Sequence, residues 1–283
     1  MLYDASTNQV NAMDFLRKVF INPETSQIRP FWRGHLFLFD RPSGPVYPSH
    51  AGTKLLAIFG LLEFIVRPLL VAGARRLTLA DRPWWILVQV TGLTLLGGWL
   101  VTRFAGVRLS QLGLHSWRNW SKTEKLYFLQ VIPIAILVFS SVFSERLKDL
   151  WVRPDLVQIG LFVFLPQMIW GLYQEFLYRG ILQTELVRRW GTLTGISVSN
   201  LIFTFGPLHA YHFALAQGNP SHLWIFAATF GIGLFFAILF LRSGNLWMVG
   251  IMHGIGDIFI DGLTQVARFG DCRFAACATS LAD

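Results

Sequence analysis

The chain has 283 residues, 53% of them hydrophobic and 14% charged, with 24 Lys and Arg against 16 Asp and Glu for a formal net charge of +8. A soluble domain carries roughly 25% charged residues, so there is too little charge here to cover a surface facing water, and a soluble α/β enzyme is excluded. The basic residues lie between apolar blocks and form no single stripe, which fits a bilayer with anionic headgroups and not nucleic acid.

Residues 1–50 mix Phe15, Leu16, Phe20, Phe31, Trp32 and Phe37 with Arg17, Lys18, Arg29, Arg33 and Arg41. They hold no uninterrupted apolar core of the kind a signal peptide needs, and Pro30, Pro42, Pro45 and Pro48 break any long helix. Aromatic and basic residues together read as an amphipathic, interfacial N-terminal arm lying on the membrane. A disordered tail is the alternative for its first residues.

Beyond the arm, apolar blocks fall at 52–73, 84–105, 126–145, 157–183, 193–216, 222–241 and 245–266. Each is near the roughly 20 residues that a helix needs to cross about 30 Å of hydrocarbon. The predicted fold is therefore all-α, a polytopic membrane helix bundle of about seven transmembrane helices plus the arm. Trp84, Trp85, Trp151, Trp190, Trp224 and Trp247 lie near span ends, where indole rings favour the headgroup level. The stretch 107–125 is too polar to span and is expected at the surface. The chain divides into the arm (1–50), N-terminal transmembrane helices with a surface loop (51–150), a second helix bundle (151–266) and a C-terminal tail (267–283). The bias of Lys and Arg favours a cytoplasmic N-terminus in a bacterial inner (plasma) membrane. That topology leaves the tail outside, with Cys272 and Cys277 either incidental thiols or a disulfide.

Ionisable groups inside such spans cost about 2.5–3.5 kcal/mol each, so each needs a partner or a task. In the first span Glu63 and Arg67 are four apart and read as a self-neutralising pair. The fourth span carries Gln174, Glu175 and Arg179, and Glu175 with Arg179 has the same spacing. Gln174, rotated by one residue, points toward a neighbouring helix. The fifth has Phe205 and His209 four apart around Gly206-Pro207, where a kink is expected, and His212 follows one turn later. The seventh has His253 and Asp257 on one face, with Gly250 and Gly254 spaced for close helix packing, and Gly231 and Gly233 of the sixth suit the same purpose. So many polar groups on packed apolar helices are costly as mere glue.

These motifs, in this order, resemble the signature of the CPBP intramembrane proteases, the CAAX-protease and bacteriocin-processing group. The signature reads Glu-Glu-x-x-x-Arg, Phe-x-x-x-His and His-x-x-x-Asn or Asp. Here it stands as Gln174-Glu175…Arg179-Gly180, Phe205…His209 and His253…Asp257, with Ser243-Gly244-Asn245-Leu246-Trp247 leading into the last. The resemblance covers roughly 150–262 and makes 151–266 a CPBP-like catalytic bundle.

It implies a glutamic-type endopeptidase in which activated water attacks a peptide carbonyl of a membrane-embedded or lipid-anchored polypeptide, near its C-terminus as CAAX processing implies, without a cofactor. Carried over, His209 orients the water, His253 with Asp257 faces the oxyanion, and Glu175 with Arg179 braces the site. Asp257 is expected to act through His253, holding its ring, or to be protonated. One position departs from the pattern. Gln174 stands where the family has its first glutamate, and an amide cannot take a proton from water. Three accounts stay open: a near-isosteric replacement that silences an enzyme, a native arrangement with Glu175 as base, or a non-catalytic relative acting as an immunity or binding protein. A zinc-dependent version on His209, His253 and a carboxylate is a further alternative, although no His-Glu-x-x-His is present. A transporter is disfavoured by the lack of an internal repeat.

Overall fold

The computed structural model describes residues 47–79, 82–151, 153–210, 212–213, 217, 223–263 and 265–266. Among these the chain is helical and contains no strand. Nearly all of the expected arm and the tail with both cysteines lie outside the described residues.

Helix α1 is Ser49–Leu61, continued through a π-helical turn at Leu62–Val66 into Arg67–Arg76, and α2 is Pro83–Trp99 continued by Leu100–Phe104. Helix α3 is Lys122–Val142, and the short α4 is Ser144–Trp151. Helix α5 runs unbroken over Leu156–Trp190 and includes wide turns at Gly160–Phe164 and Phe176–Gln183. Helices α6 (Thr192–Phe205), α7 (Trp224–Ser243) and α8 (Leu246–Asp257, continued by Ile258–Gly262) complete the bundle. The wide turns in α1 and early α5 are followed at once by Pro68 and Pro166. A proline there removes one intrahelical donor, so the local bonding reorganises.

Among the described residues, five helices are long and apolar enough to cross a membrane: His50–Arg76, Trp84–Phe104, Lys122–Val142, Leu156–Trp190 and Trp224–Ser243. Their outward residues, such as Leu69, Leu95, Leu129, Leu137 and Val142, are exposed apolar side chains suited to lipid. The protein is an integral membrane helix bundle. The expected fifth span is shorter than anticipated, because helix α6 has 14 residues and stops at Gly206, whose extended backbone precedes Pro207, whereas the described residues of the seventh are helical over 246–263 and 265–266, close to the expected span. Proline makes its predecessor avoid helical backbone, so the expected kink is instead a break. Conversely, α5 overshoots its expected end near 183. Its last turns carry Glu185, fully buried, which accepts from Tyr47 Oη at 3.1 Å and Arg188 Nε at 2.8 Å and so ties α5 to the start of α1.

The stretch 107–125 does not span, as expected, but it does not simply lie on the surface. Val107, Leu112 and Trp120 are buried, and the turn docks on the α7–α8 junction. There Leu246 N–H donates to Gly113 O at 3.0 Å, and Gly113 adopts φ 98°, a conformation that suits glycine. The same junction explains the Ser243–Trp247 lead-in. Asn245 Oδ1 accepts from Trp247 N–H and caps α8, while Asn245 Nδ2 donates to Glu124 at 3.0 Å. Glu124 itself closes a capping box with Ser121 at the start of α3. The start of α8 is thus fixed to the start of α3.

Close packing then sets the site. A Cβ on Gly171 of α5 would lie 2.4 Å from Gly254 N, and one on Gly254 of α8 would lie 2.8 Å from Met168 Cα. The backbones of α5 and α8 touch only because both positions lack side chains, as the spacing of Gly250 and Gly254 predicts. Gly233 serves α7 similarly against Asn200 and Phe203, whereas Gly231 has nothing nearby and does not. Gln183 Nε2 donates to Ala237 O and Asn200 Nδ2 to Phe230 O, both at 2.9 Å, and these bonds fasten α5 and α6 to α7.

Candidate active site

The contact between α5 and α8 brings the first and third motifs face to face. Glu175 is fully buried, and both of its oxygens are engaged. Oε2 accepts from Arg179 Nε at 3.1 Å, and Oε1 accepts from His253 Nδ1 at 2.7 Å. A carboxylate can only accept, so this contact puts a proton on Nδ1 of His253. The opposite ring nitrogen, Nε2, faces Asp257 Oδ1 at 3.6 Å. Here the geometry corrects the expectation: the carboxylate that holds the His253 ring is Glu175, and Asp257 stands across the ring at longer range. Phe236, stacked 5.2 Å away, holds the ring plane.

Arg179 is also fully buried. Among the described residues its Nη1 and Nη2 meet no acceptor, but the guanidinium lies 4.8 Å over the Phe203 ring. That face is electron-rich and supplies part of what an acceptor would. Gln174 does point across to α8 as its rotation predicts. Its Nε2 donates to Asp257 Oδ2 at a long 3.5 Å, and its Oε1 is buried without a donor among the described residues.

His209 arrives from outside the helices. Helix α6 ends at Gly206, and the chain turns back through Pro207–His209. A side chain at 206 would put a Cβ 2.2 Å from Ile202 O, so the reversal needs glycine. The turn carries the imidazole to Phe203, where Nδ1 donates to the Phe203 carbonyl at 2.6 Å. That bond fixes the tautomer with the lone pair on Nε2, the form a base or a water-orienting group needs. His212 stacks on the same ring at 5.2 Å.

Sequence reasoning missed two residues. Phe205, read as part of the second motif, is half exposed and stacks on Phe226 away from the site. The aromatic residue at the centre is Phe203, with ring centroids 4.7 Å from His209 and 6.0 Å from His253. No spacing in the sequence singles it out, because its place depends on where α6 breaks. The second is Glu63. Its pair with Arg67 forms as expected at 2.7 Å, but the wide turn that carries it packs on Pro207–His209, and the Leu208 N–H points to its carboxylate. The first span therefore supports the turn that presents His209. Among the described residues no three of His, Cys, Asp and Glu are grouped as metal ligands.

Both imidazoles donate through Nδ1, His253 to Glu175 and His209 to the Phe203 carbonyl, so each has Nε2 as its second ring nitrogen, and with the buried carboxylate they form a candidate general acid–base site inside a membrane bundle. Residues 156–259 match the family model described as Rce1-like, type II CAAX prenyl endopeptidase. This segment holds Gln174, Glu175, Arg179, His209, His253 and Asp257 together, and the match agrees with the resemblance to the CPBP intramembrane proteases. No curated protein and no solved structure matches the chain.

Proposed function

We propose that the chain is an intramembrane endopeptidase that uses activated water to cut membrane-embedded or lipid-anchored polypeptides, near the C-terminus as the CAAX prenyl endopeptidase family suggests. The observation that carries this reading is the buried Glu175–His253 bond of 2.7 Å, formed between residues 78 apart. A structural ion pair is already complete with Arg179; the second oxygen is spent on fixing an imidazole. Held this way between Glu175 and Asp257, and protonated on both ring nitrogens, His253 turns an Nε2–H toward the site, where it can donate to a developing oxyanion. His209 Nε2 accepts from and orients the attacking water, and the lipid bilayer presents the substrate. The reading needs no metal. The distribution of Lys and Arg supports a plasma membrane with the N-terminus cytoplasmic.

The test is cleavage of membrane-anchored peptides by the purified chain in lipid vesicles. His209→Ala and His253→Ala should each lower turnover by about 100-fold or more. A chain that binds the peptides equally well with and without these imidazoles, and never cuts them, is a non-catalytic relative.

A further inference from the structure

Both oxygens of the fully buried Glu175 are already engaged, one by Arg179 and one by His253. Gln174 can donate but cannot accept a proton. The remaining carboxylate that faces the site is Asp257. Its side chain retains 15% exposure, with Oδ2 at 3.5 Å from Gln174 Nε2 and Oδ1 at 3.6 Å from His253 Nε2. Both contacts are long, and no Lys or Arg among the described residues pairs with it. Beside it, Gln174 Oε1 is a buried acceptor with no donor among the described residues. Such an orphan in a native site calls for an explanation, and a held water or a substrate N–H supplies one.

We infer that Asp257 is the proton acceptor for the attacking water and that Gln174 is its amide counterpart, so that acid and amide stand on the opposite helices from an arrangement with glutamate at 174. The inference rests on the endopeptidase reading and names the base that reading leaves open. Water held at Asp257 gives one proton to the carboxylate as its oxygen bonds the peptide carbon, and the carbonyl π pair moves onto the carbonyl oxygen. Collapse of the tetrahedral intermediate breaks the C–N bond. Asp257 returns the proton to the leaving nitrogen, which regenerates the carboxylate after one water per bond cut. Gln174 Oε1 accepts from a substrate N–H, which seats the scissile bond against α8.

Transposition tests this. Full-length chain in vesicles is compared as wild type, Asp257→Asn and the double variant Gln174→Glu/Asp257→Asn, with His253→Ala as a control. Asp257→Asn should lose about 100-fold in turnover, and the double variant should recover to within about tenfold of wild type, because a carboxylate–amide pair is restored in reversed order. The inference is overturned if Asp257→Asn keeps wild-type turnover while His253→Ala does not, or if the double variant cuts no better than Asp257→Asn. If no form cuts, wild type included, the endopeptidase reading falls and this inference with it.

Discussion

Helices α1 and α5 carry the same buried motif, a glutamate with an arginine four residues on, and use it for different ends. In α1, Arg67 takes both oxygens of Glu63, through Nη2 at 2.7 Å and Nε at 3.3 Å. In α5, Arg179 offers Glu175 only Nε, turns its remaining nitrogens over Phe203, and leaves the second oxygen to His253. The first pair takes both its guanidinium bonds on its own helix, and its carboxylate also meets the Leu208 N–H, which stiffens the turn beneath His209. The second is open and couples α5 to α8. Sequence spacing states that each pair can form; the rotation of one guanidinium decides which carboxylate reaches a neighbouring helix.

The comparison can be broken at either pair. The largest effect is expected for Glu175→Gln. Leaving Arg179 charged and unpaired in the interior should cost about 3–5 kcal/mol of stability, and peptide cleavage should fall below detection. Unfolding in detergent and vesicle turnover measure the two. Adding Arg179→Met should recover much of the stability and none of the turnover, because His253 stays unbraced. Glu63→Gln should cost stability on the same scale, about 3–5 kcal/mol, yet keep turnover per folded molecule within about tenfold. A loss as deep as that of Glu175→Gln would mean that α1 belongs to the reacting groups.

Smaller still is Phe203→Leu. Loss of the ring that both imidazoles and Arg179 touch should cost about 1–3 kcal/mol and lower turnover about tenfold. Phe205→Leu, although nominally in the motif, should leave turnover unchanged. The smallest effect expected is that of a strong divalent-metal chelator, which should leave the cleavage rate of wild-type protein as it was. A rate lost to the chelator and restored by zinc would replace the metal-free account.

Much of this was legible in the sequence, and the gaps share one cause. Composition and block length fixed the membrane bundle. The i, i+4 pairs at Glu63, Glu175 and His253 formed as their helical spacing demands. Gly250 and Gly254 announced the α5–α8 contact because small residues are what let two backbones meet. The reversal at Gly206 was read as a kink, since a local rule gives the disturbance at Pro207 but not the path taken after it. Phe203 and the Glu175–His253 bond were hidden for the same reason. Both depend on how separate helices rotate against one another, which packing decides and spacing does not. The docking of Leu112 and Gly113 on the α7–α8 junction was hidden likewise, behind a polar stretch that reads as surface.

The most direct measurement of the central claim is the source of oxygen in the product. Wild-type chain in vesicles, given a membrane-anchored peptide in heavy-oxygen water, should release fragments whose new C-terminal carboxylate carries one heavy oxygen, as mass spectrometry reads it. His253→Ala should release about 100-fold less of this labelled product in the same time. Fragments without the label, as much labelled product from the His253→Ala variant, or an intact peptide with wild-type protein bound to it would contradict a water-activating site at Glu175, His209 and His253.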